Sequence, residues 1–254
     1  MNYVKVLAPL GWQGVSSRLS PLWVSTVQSF DVLNESPMNL VLILLIVLLW
    51  VGWCALHSLL IGSGVSRAIR RRMPGIDRYY RLLYNGLALL TLVPVAIVTG
   101  LAEGPVVFSW EGWGHLFRAF LLVCAFLLFW GGAHKYDMRY FLGFRQLETG
   151  QTSLLLTDAP KFTERGVFGL VRHPWYLGSL LLIWSALPEY QLPKFLVAII
   201  LSCYLVIGTL LEERKILARH SESYIAYQQR VSMLLPWKWL KKRLRQYPLF
   251  RIPE

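Results

Sequence analysis

The chain has 254 residues, of which 55% are hydrophobic and 16% charged, with a formal net charge of +12. Soluble domains carry about a quarter charged residues, and the mean hydropathy here is +0.46, which excludes an ordinary water-soluble globule. The charge argues no better for nucleic-acid binding, because the bases are not interleaved with any reader motif.

Residues 1–37 come first, with Trp12, Trp23 and Phe30 among Ser, Gly, Gln and Pro. They fit either a short interfacial helix on the outer surface or a loosely ordered arm. Met38 to Ser66 then contains no Asp, Glu, Lys or Arg. It predicts a helix near 38–62, longer than the roughly 20 residues that cross a bilayer. It is also too long and too late for a cleaved signal peptide. Further apolar runs predict helices near 82–102 and 115–133. A connector of about forty residues follows, and its aromatics and glycines suit an ordered, docked structure. Trp175 to Leu187 and Phe195 to Leu211 predict a hairpin of helices near 174–188 and 193–213. The first of these runs is only about 20 Å long as a helix. It needs its flanks to span, or the pair re-enters the membrane shielded by protein. The expected fold is an all-α polytopic membrane protein of about five transmembrane helices. Residues 38–237 form its body and residues 238–254 a basic tail.

Lys and Arg concentrate in alternate loops: Val65 to Arg81, His134 to Trp175, and everything after Arg214. The positive-inside rule then puts the N-terminus outside and the C-terminus in the cytoplasm. The basic tail is expected to rest on anionic lipid. Cys54, Cys124 and Cys203 lie singly in three apolar runs, so neither a disulfide framework nor a metal site is expected. No Gly-x-Gly-x-x-Gly follows a strand, so a Rossmann domain is not expected either.

The chemistry concentrates at Arg172-His173-Pro174-Trp175-Tyr176-Leu177-Gly178 and at Glu212-Glu213, the two ends of the hairpin. Ionisable groups beside hydrocarbon are costly and are functional candidates by default. Arg172 offers a planar fork for a carboxylate. His173 can exchange a proton near neutral pH. Pro174 suits the first turn of a helix. Gly178 permits close approach by a ligand or a neighbouring helix. Glu212 and Glu213 close the outgoing helix and, being about 100° apart, cannot both face one way; one pairs with Arg172 or binds a cation. Taken singly, each also fits a plainer role: interfacial anchor, satisfied helix-end histidine, solvated helix end. A ligand with a carboxylate, a cationic centre and an aromatic base suits the set, and S-adenosylmethionine is one such molecule.

Arg172-His173-Pro174-x-Tyr176-x-Gly178, Glu212-Glu213-x-x-x-Leu217, Tyr224-x-x-Tyr227, Val231 and Leu235-Pro236 recur in the order of a known signature. Residues 160–237 resemble the C-terminal part of integral-membrane isoprenylcysteine carboxyl methyltransferases and phospholipid methyltransferases. His57-Ser58-Leu59-Leu60, Tyr79 to Asn85 and Phe141 to Gln146 are similar to bacterial methanethiol S-methyltransferases and to a related denitrification-associated membrane family. The resemblance implies S-adenosylmethionine as methyl donor, bound at the cytoplasmic face by Arg172, His173, Tyr176, Gly178, Glu212 and Glu213, with Tyr224 and Tyr227. Where prenylcysteine enzymes tend to place an Arg, this chain has Gly208-Thr209-Leu210-Leu211, and His220 to Ser223 stands where a Phe-Gly is common.

The resemblance therefore points to a small or lipophilic thiol acceptor such as methanethiol. Methylation of a prenylcysteine carboxylate or lipid amine, and a non-catalytic maturation factor on the same scaffold, are the alternatives. It implies a bacterial inner-membrane enzyme with a cytoplasmic site. A thiol reacts as its thiolate; Arg172 or Arg145 would favour that form, and His173 is the candidate base. His57, Tyr84, Asn85 and Arg145 are candidates for the acceptor pocket. The first three suit interhelical hydrogen bonding equally well.

Overall fold

A run of 22 uncharged and mostly apolar residues has no way to satisfy its backbone in lipid except as a helix, and α1 (Leu40–Ile61) is that helix. The structure, a computed structural model, describes residues 40–73, 75–135, 137–149, 164–219 and 221–246. The expected arm at 1–37, the middle of the connector and the end of the tail lie outside the described residues.

α1 is about 33 Å long at 1.5 Å per residue, enough for a roughly 30 Å hydrocarbon layer. A short basic helix, α2 (Ser63–Arg72), and a 3-10 turn at Ile76–Arg78 reverse the chain into α3 (Tyr80–Leu101). α1 and α3 run antiparallel, joined by donors that would otherwise lie unpaired in hydrocarbon. Trp50 Nε1 donates to Thr99 Oγ1 (2.8 Å), Trp53 Nε1 to the Ala88 carbonyl (3.1 Å) and the Tyr80 hydroxyl to the Leu60 carbonyl (2.6 Å).

β1 (Val106–Ser109) then leads into α4 (Gly114–Ala133). Two short connector helices follow, α5 (Met138–Leu142) and α6 (Phe144–Thr149), and a 3-10 turn at Gly166–Gly169. Next come α7 (Pro174–Ser185), β2 (Glu189–Gln191) and α8 (Leu192–Arg219). α9 (Ser221–Arg230) and α10 (Trp237–Gln246) complete the described chain.

Three findings amend the expected layout. First, four helices are long and apolar enough to cross a membrane, at Leu40–Ile61, Tyr80–Leu101, Gly114–Ala133 and Leu192–Ala218. α7, with 12 residues, is about 18 Å long and falls short of that length. Second, α8 does not end at the glutamate pair. It continues to Arg219 because Ile216 is buried against Tyr224, Tyr227 and Val231 of the segment that follows, with Leu217 packed alongside. Third, the expected all-α fold carries a two-stranded antiparallel piece, β1 against β2, with Trp110 N donating to the Pro188 carbonyl and Leu192 N to the Pro105 carbonyl (2.9 Å each). Two loops that meet at one end of the bundle thereby satisfy each other's backbone groups.

α4 and α7 pack closely and antiparallel. A Cβ on Gly178 would lie 3.3 Å from the Ala125 carbonyl oxygen and 3.4 Å from Leu128 Cβ, and Gly132 lies directly under the Trp175 indole. Trp175 Nε1 donates to the Phe129 carbonyl at 3.1 Å. Small residues allow this close approach between membrane helices. A second core joins α1, α3 and α8 through Ile46, Trp50, Val95, Ala102 and Val197. Leu48, Leu90, Phe120 and Phe126 point outward and are exposed, as lipid-facing side chains are in an integral membrane protein. Among the described residues, the basic segments fall at the end of the bundle where α1, α4 and α8 end and α3 and α7 begin, and β1 and β2 lie at the other.

Candidate functional site

Val171 forms a parallel bridge with Ser232. Arg172 N donates to the Ser232 carbonyl at 2.8 Å and His173 N to the Met233 carbonyl at 3.2 Å. This short backbone pairing fixes Arg172 and His173 just before Pro174 starts α7, and lays the chain leaving α9 across them.

Arg172 sets both arms of its fork on Glu213, Nε to Oε1 at 2.8 Å and Nη2 to Oε2 at 2.7 Å. Its Nη1 donates to the Val231 carbonyl at 2.5 Å, at the C-terminal end of α9. Glu213 also accepts from His173 Nε2 (2.9 Å), the Tyr224 hydroxyl (2.9 Å) and Gln228 Nε2 (2.7 Å). The Arg172 and Glu213 side chains are 8% and 10% exposed. Charges taken this far from water persist when every lone pair and donor is met, and here the carboxylate meets five donors. Burial works against the Arg172 charge, but the Glu213 carboxylate outweighs it and raises the guanidinium pKa. Burial and the same carboxylate push the Tyr224 hydroxyl well above the usual tyrosine range, so it stays a donor. Tyr227, raised by burial, donates to the Phe168 carbonyl at 2.7 Å and ties α9 to the turn before Arg172.

The two glutamates therefore divide as their 100° offset requires. Glu213 is the buried hub. Glu212 is only half-buried and takes no hydrogen bond or ion pair among the described residues. Tyr176 stands edge-on to His173, ring centroids 5.6 Å apart, and lies over Gly208 of α8, where a Cβ would sit 3.5 Å from its ring. Gly178 serves the helix contact, since α4 occupies the space beside it.

His57 and Tyr84 meet between α1 and α3, with the Tyr84 hydroxyl 2.5 Å from Nε2 and 3.0 Å from Nδ1 of the ring. Asn85 turns away and donates to the Phe141 and Leu142 carbonyls at 3.2 and 3.1 Å, closing the end of α5. There Gly143, at φ 101°, brings its Cα so near α3 that a Cβ would lie 2.8 Å from Leu82 N. A side chain there would be strained by both conformation and space. Arg145 is exposed and paired with Asp137, whose carboxyl it holds below the usual range. Asn85 and Arg145 thus both make contacts within or against the connector.

Gln228 was not among the sequence candidates, nor were the 231–233 segment, Trp53, Ser58 and Tyr204. Gln228 sits one turn after Tyr224 and so shares its face, which a helical projection of α9 shows. The backbone pairing has no such signal.

No family model matches the chain, and no solved structure matches it. Curated proteins do. Methanethiol S-methyltransferase 1 of Bradyrhizobium diazoefficiens is 30% identical over 173 residues, 64% of this chain and 55% of that protein. A methanethiol S-methyltransferase of Pseudomonas sp. is 29% identical over 195 residues, 72% of this chain and 69% of that protein. Methanethiol S-methyltransferase 2 of Bradyrhizobium diazoefficiens is 28% identical over 227 residues, 85% of this chain and 81% of that protein. The chain spans about half the length of the first of these and more of the other two. Over 64–85% of its length, then, its sequence is similar to proteins named methanethiol S-methyltransferase.

Proposed function

We propose that the chain is an integral-membrane methyltransferase that moves a methyl group from S-adenosylmethionine to methanethiol or a similarly small, lipophilic thiol. The observation that carries this is the likeness to several proteins of that name across 64–85% of the chain. The mouth of α7 suits the donor: the Tyr176 ring stands beside the His173 imidazole, and the half-buried Glu212 carboxylate is next in sequence to Glu213, which holds that imidazole, a set that attracts a sulfonium.

The geometry redistributes the expected roles. Arg172 and Glu213 spend their groups on each other, so they build the floor of the site. Glu212 is the carboxylate left to meet a cationic ligand, one turn beyond Gly208, over which the Tyr176 ring lies. Glu213 fixes the His173 ring through Nε2, and Nδ1, without a hydrogen bond among the described residues, is left to contact the donor. S-Adenosylmethionine, when bound, supplies a methyl group activated by the sulfonium. The protein's share is to align the acceptor with that carbon and to exclude water. The basic end of the bundle supports, through the positive-inside rule, a site that opens to the cytoplasmic face of the inner membrane.

Purified protein should convert methanethiol to dimethyl sulfide with S-adenosylmethionine, and leave prenylcysteine and phospholipid amines unmethylated. Transfer to either of those alone, or no transfer and no donor binding by calorimetry, would count against the reading.

A further inference from the structure

Beyond the donor site, an imidazole lies inside the bundle where packing alone has no use for one. His57 is stacked on Trp53 (centroids 5.3 Å, 21°) and hydrogen-bonded to Tyr84. It faces the Tyr204 ring edge-on at 6.2 Å, and the Ser58 hydroxyl reaches the Tyr204 hydroxyl at 3.2 Å. Three helices, α1, α3 and α8, bring titratable and hydroxyl groups to one point within apolar spans. Ionisable groups in such a place mark proton or substrate paths more often than packing. The titratable groups around the pair are Cys54 on α1, Tyr80 and Arg81 on α3 and Tyr204 on α8.

The cluster is also in line with the donor site. Tyr204, Gly208 and Glu212 follow one another at four-residue steps on α8 and are all half-buried. Such steps keep to one helix face and advance about 6 Å each. Glu212 marks the donor end of this stripe. Tyr176 covers its middle, where Gly208 leaves a recess. The His57–Tyr84–Tyr204 cluster stands at the far end, about 12 Å from Glu212 by helix rise.

We infer that the His57–Tyr84 pair receives the proton of the acceptor thiol during methyl transfer. This rests on the methyltransferase reading above. Even a free cysteine thiol has a pKa of about 8.5, a simple alkyl thiol is less acidic still, and an apolar site disfavours the thiolate further, so a proton acceptor must stand beside the sulfur. The thiol proton passes to the Tyr84 oxygen as Tyr84 hands its own to the His57 ring. The sulfur's electron pair forms the new S–CH3 bond, and the old bond from methyl to sulfonium breaks with its pair left on the departing sulfur. The products are a thioether, a neutral donor remnant and an imidazolium, which sheds its proton to water afterwards. The positive charge moves from sulfonium to imidazolium, so the hydrocarbon never holds an added net charge. The Trp53 face beneath the ring stabilises that cation.

The test uses the full chain in lipid nanodiscs, with His57→Gln and Tyr84→Phe. Calorimetry reads S-adenosylmethionine affinity, and steady-state kinetics with methanethiol read kcat and KM across pH. Both variants should bind the donor within about twofold of wild type, a check on folding. Each should lose about 100-fold or more in kcat/KM for the thiol. Their rates should climb steadily towards the pKa of the free thiol, because thiolate must then arrive preformed. Variants with wild-type kcat/KM and an unchanged pH profile would overturn the inference alone. Loss of donor affinity parallel to loss of rate would also overturn it, by making the pair structural. A wild-type protein that methylates no thiol would overturn both this and the reading it rests on.

Discussion

Two polar clusters lie on α8, and they manage polarity in opposite ways. Around Glu213, charges are deeply buried and cancelled: a cation, an anion and three further donors leave nothing on the carboxylate unmet. Around His57, the groups that touch are an imidazole, three hydroxyls and an indole, with no carboxylate among them. A closed ion-pair knot is stiff, since moving any member exposes an uncompensated charge. Hydroxyl and imidazole groups in contact can instead pass a proton from one to the next, and the Trp53 face lies under the ring that would hold it. The contrast suits the first to holding the mouth of α7 and the second to the proton transfer proposed above.

The largest break should come at the hub. Glu213→Ala strands the Arg172 charge and three further donors in a nearly dry site, a change that typically costs about 3–5 kcal/mol. Thermal unfolding in detergent should show a large drop, and unchanged stability would mean that the knot does not hold the mouth. Tyr224→Phe removes one hydrogen bond to a charged acceptor (2.9 Å) and should cost about 1.5–3 kcal/mol by the same measurement.

Glu212→Gln should separate the two glutamates cleanly. It lies beside the hub yet belongs to no ion pair among the described residues, so stability should hold within about 0.5 kcal/mol. Donor affinity should fall about tenfold, the scale of one lost charge contact of about 1.4 kcal/mol. Equal losses of stability in Glu212→Gln and Glu213→Ala would dissolve the division between hub and ligand carboxylate.

That division marks the limit of what could be read before the coordinates. Hydropathy locates the four long helices, apart from the last turns of α8, to within a few residues, because an apolar run in lipid has only one solution. The shortness of α7 was equally legible in the 13 residues from Trp175 to Leu187. The pairing of Arg172 with one glutamate follows from the cost of a lone charge near hydrocarbon. Which glutamate it takes depends on how α8 is rotated against α7, and adjacent residues on a helix give no clue to that. The extension of α8 to Arg219 escaped because apolar character stops at Leu211, while Ile216 is held by packing against α9. The strands escaped because their three or four residues carry too little alternation to stand out.

The smallest effect sharpens the edge of the active region. Arg145 carries the charge that a thiolate would favour and falls within a stretch similar to thiol methyltransferases, but it is exposed and bound to Asp137. Arg145→Ala should therefore leave kcat/KM for methanethiol within about twofold. Its trace should appear only in stability against pH. Arg145 lowers the Asp137 pKa in the folded chain, so the pair stabilises above the ordinary carboxylate range and fades as pH falls through it. Wild type and Arg145→Ala should then differ slightly in unfolding temperature at pH 7 and converge in acid, a difference kept small by solvent screening. A strong loss of methyl transfer in this variant would carry the acceptor site out to the connector and away from the His57 cluster.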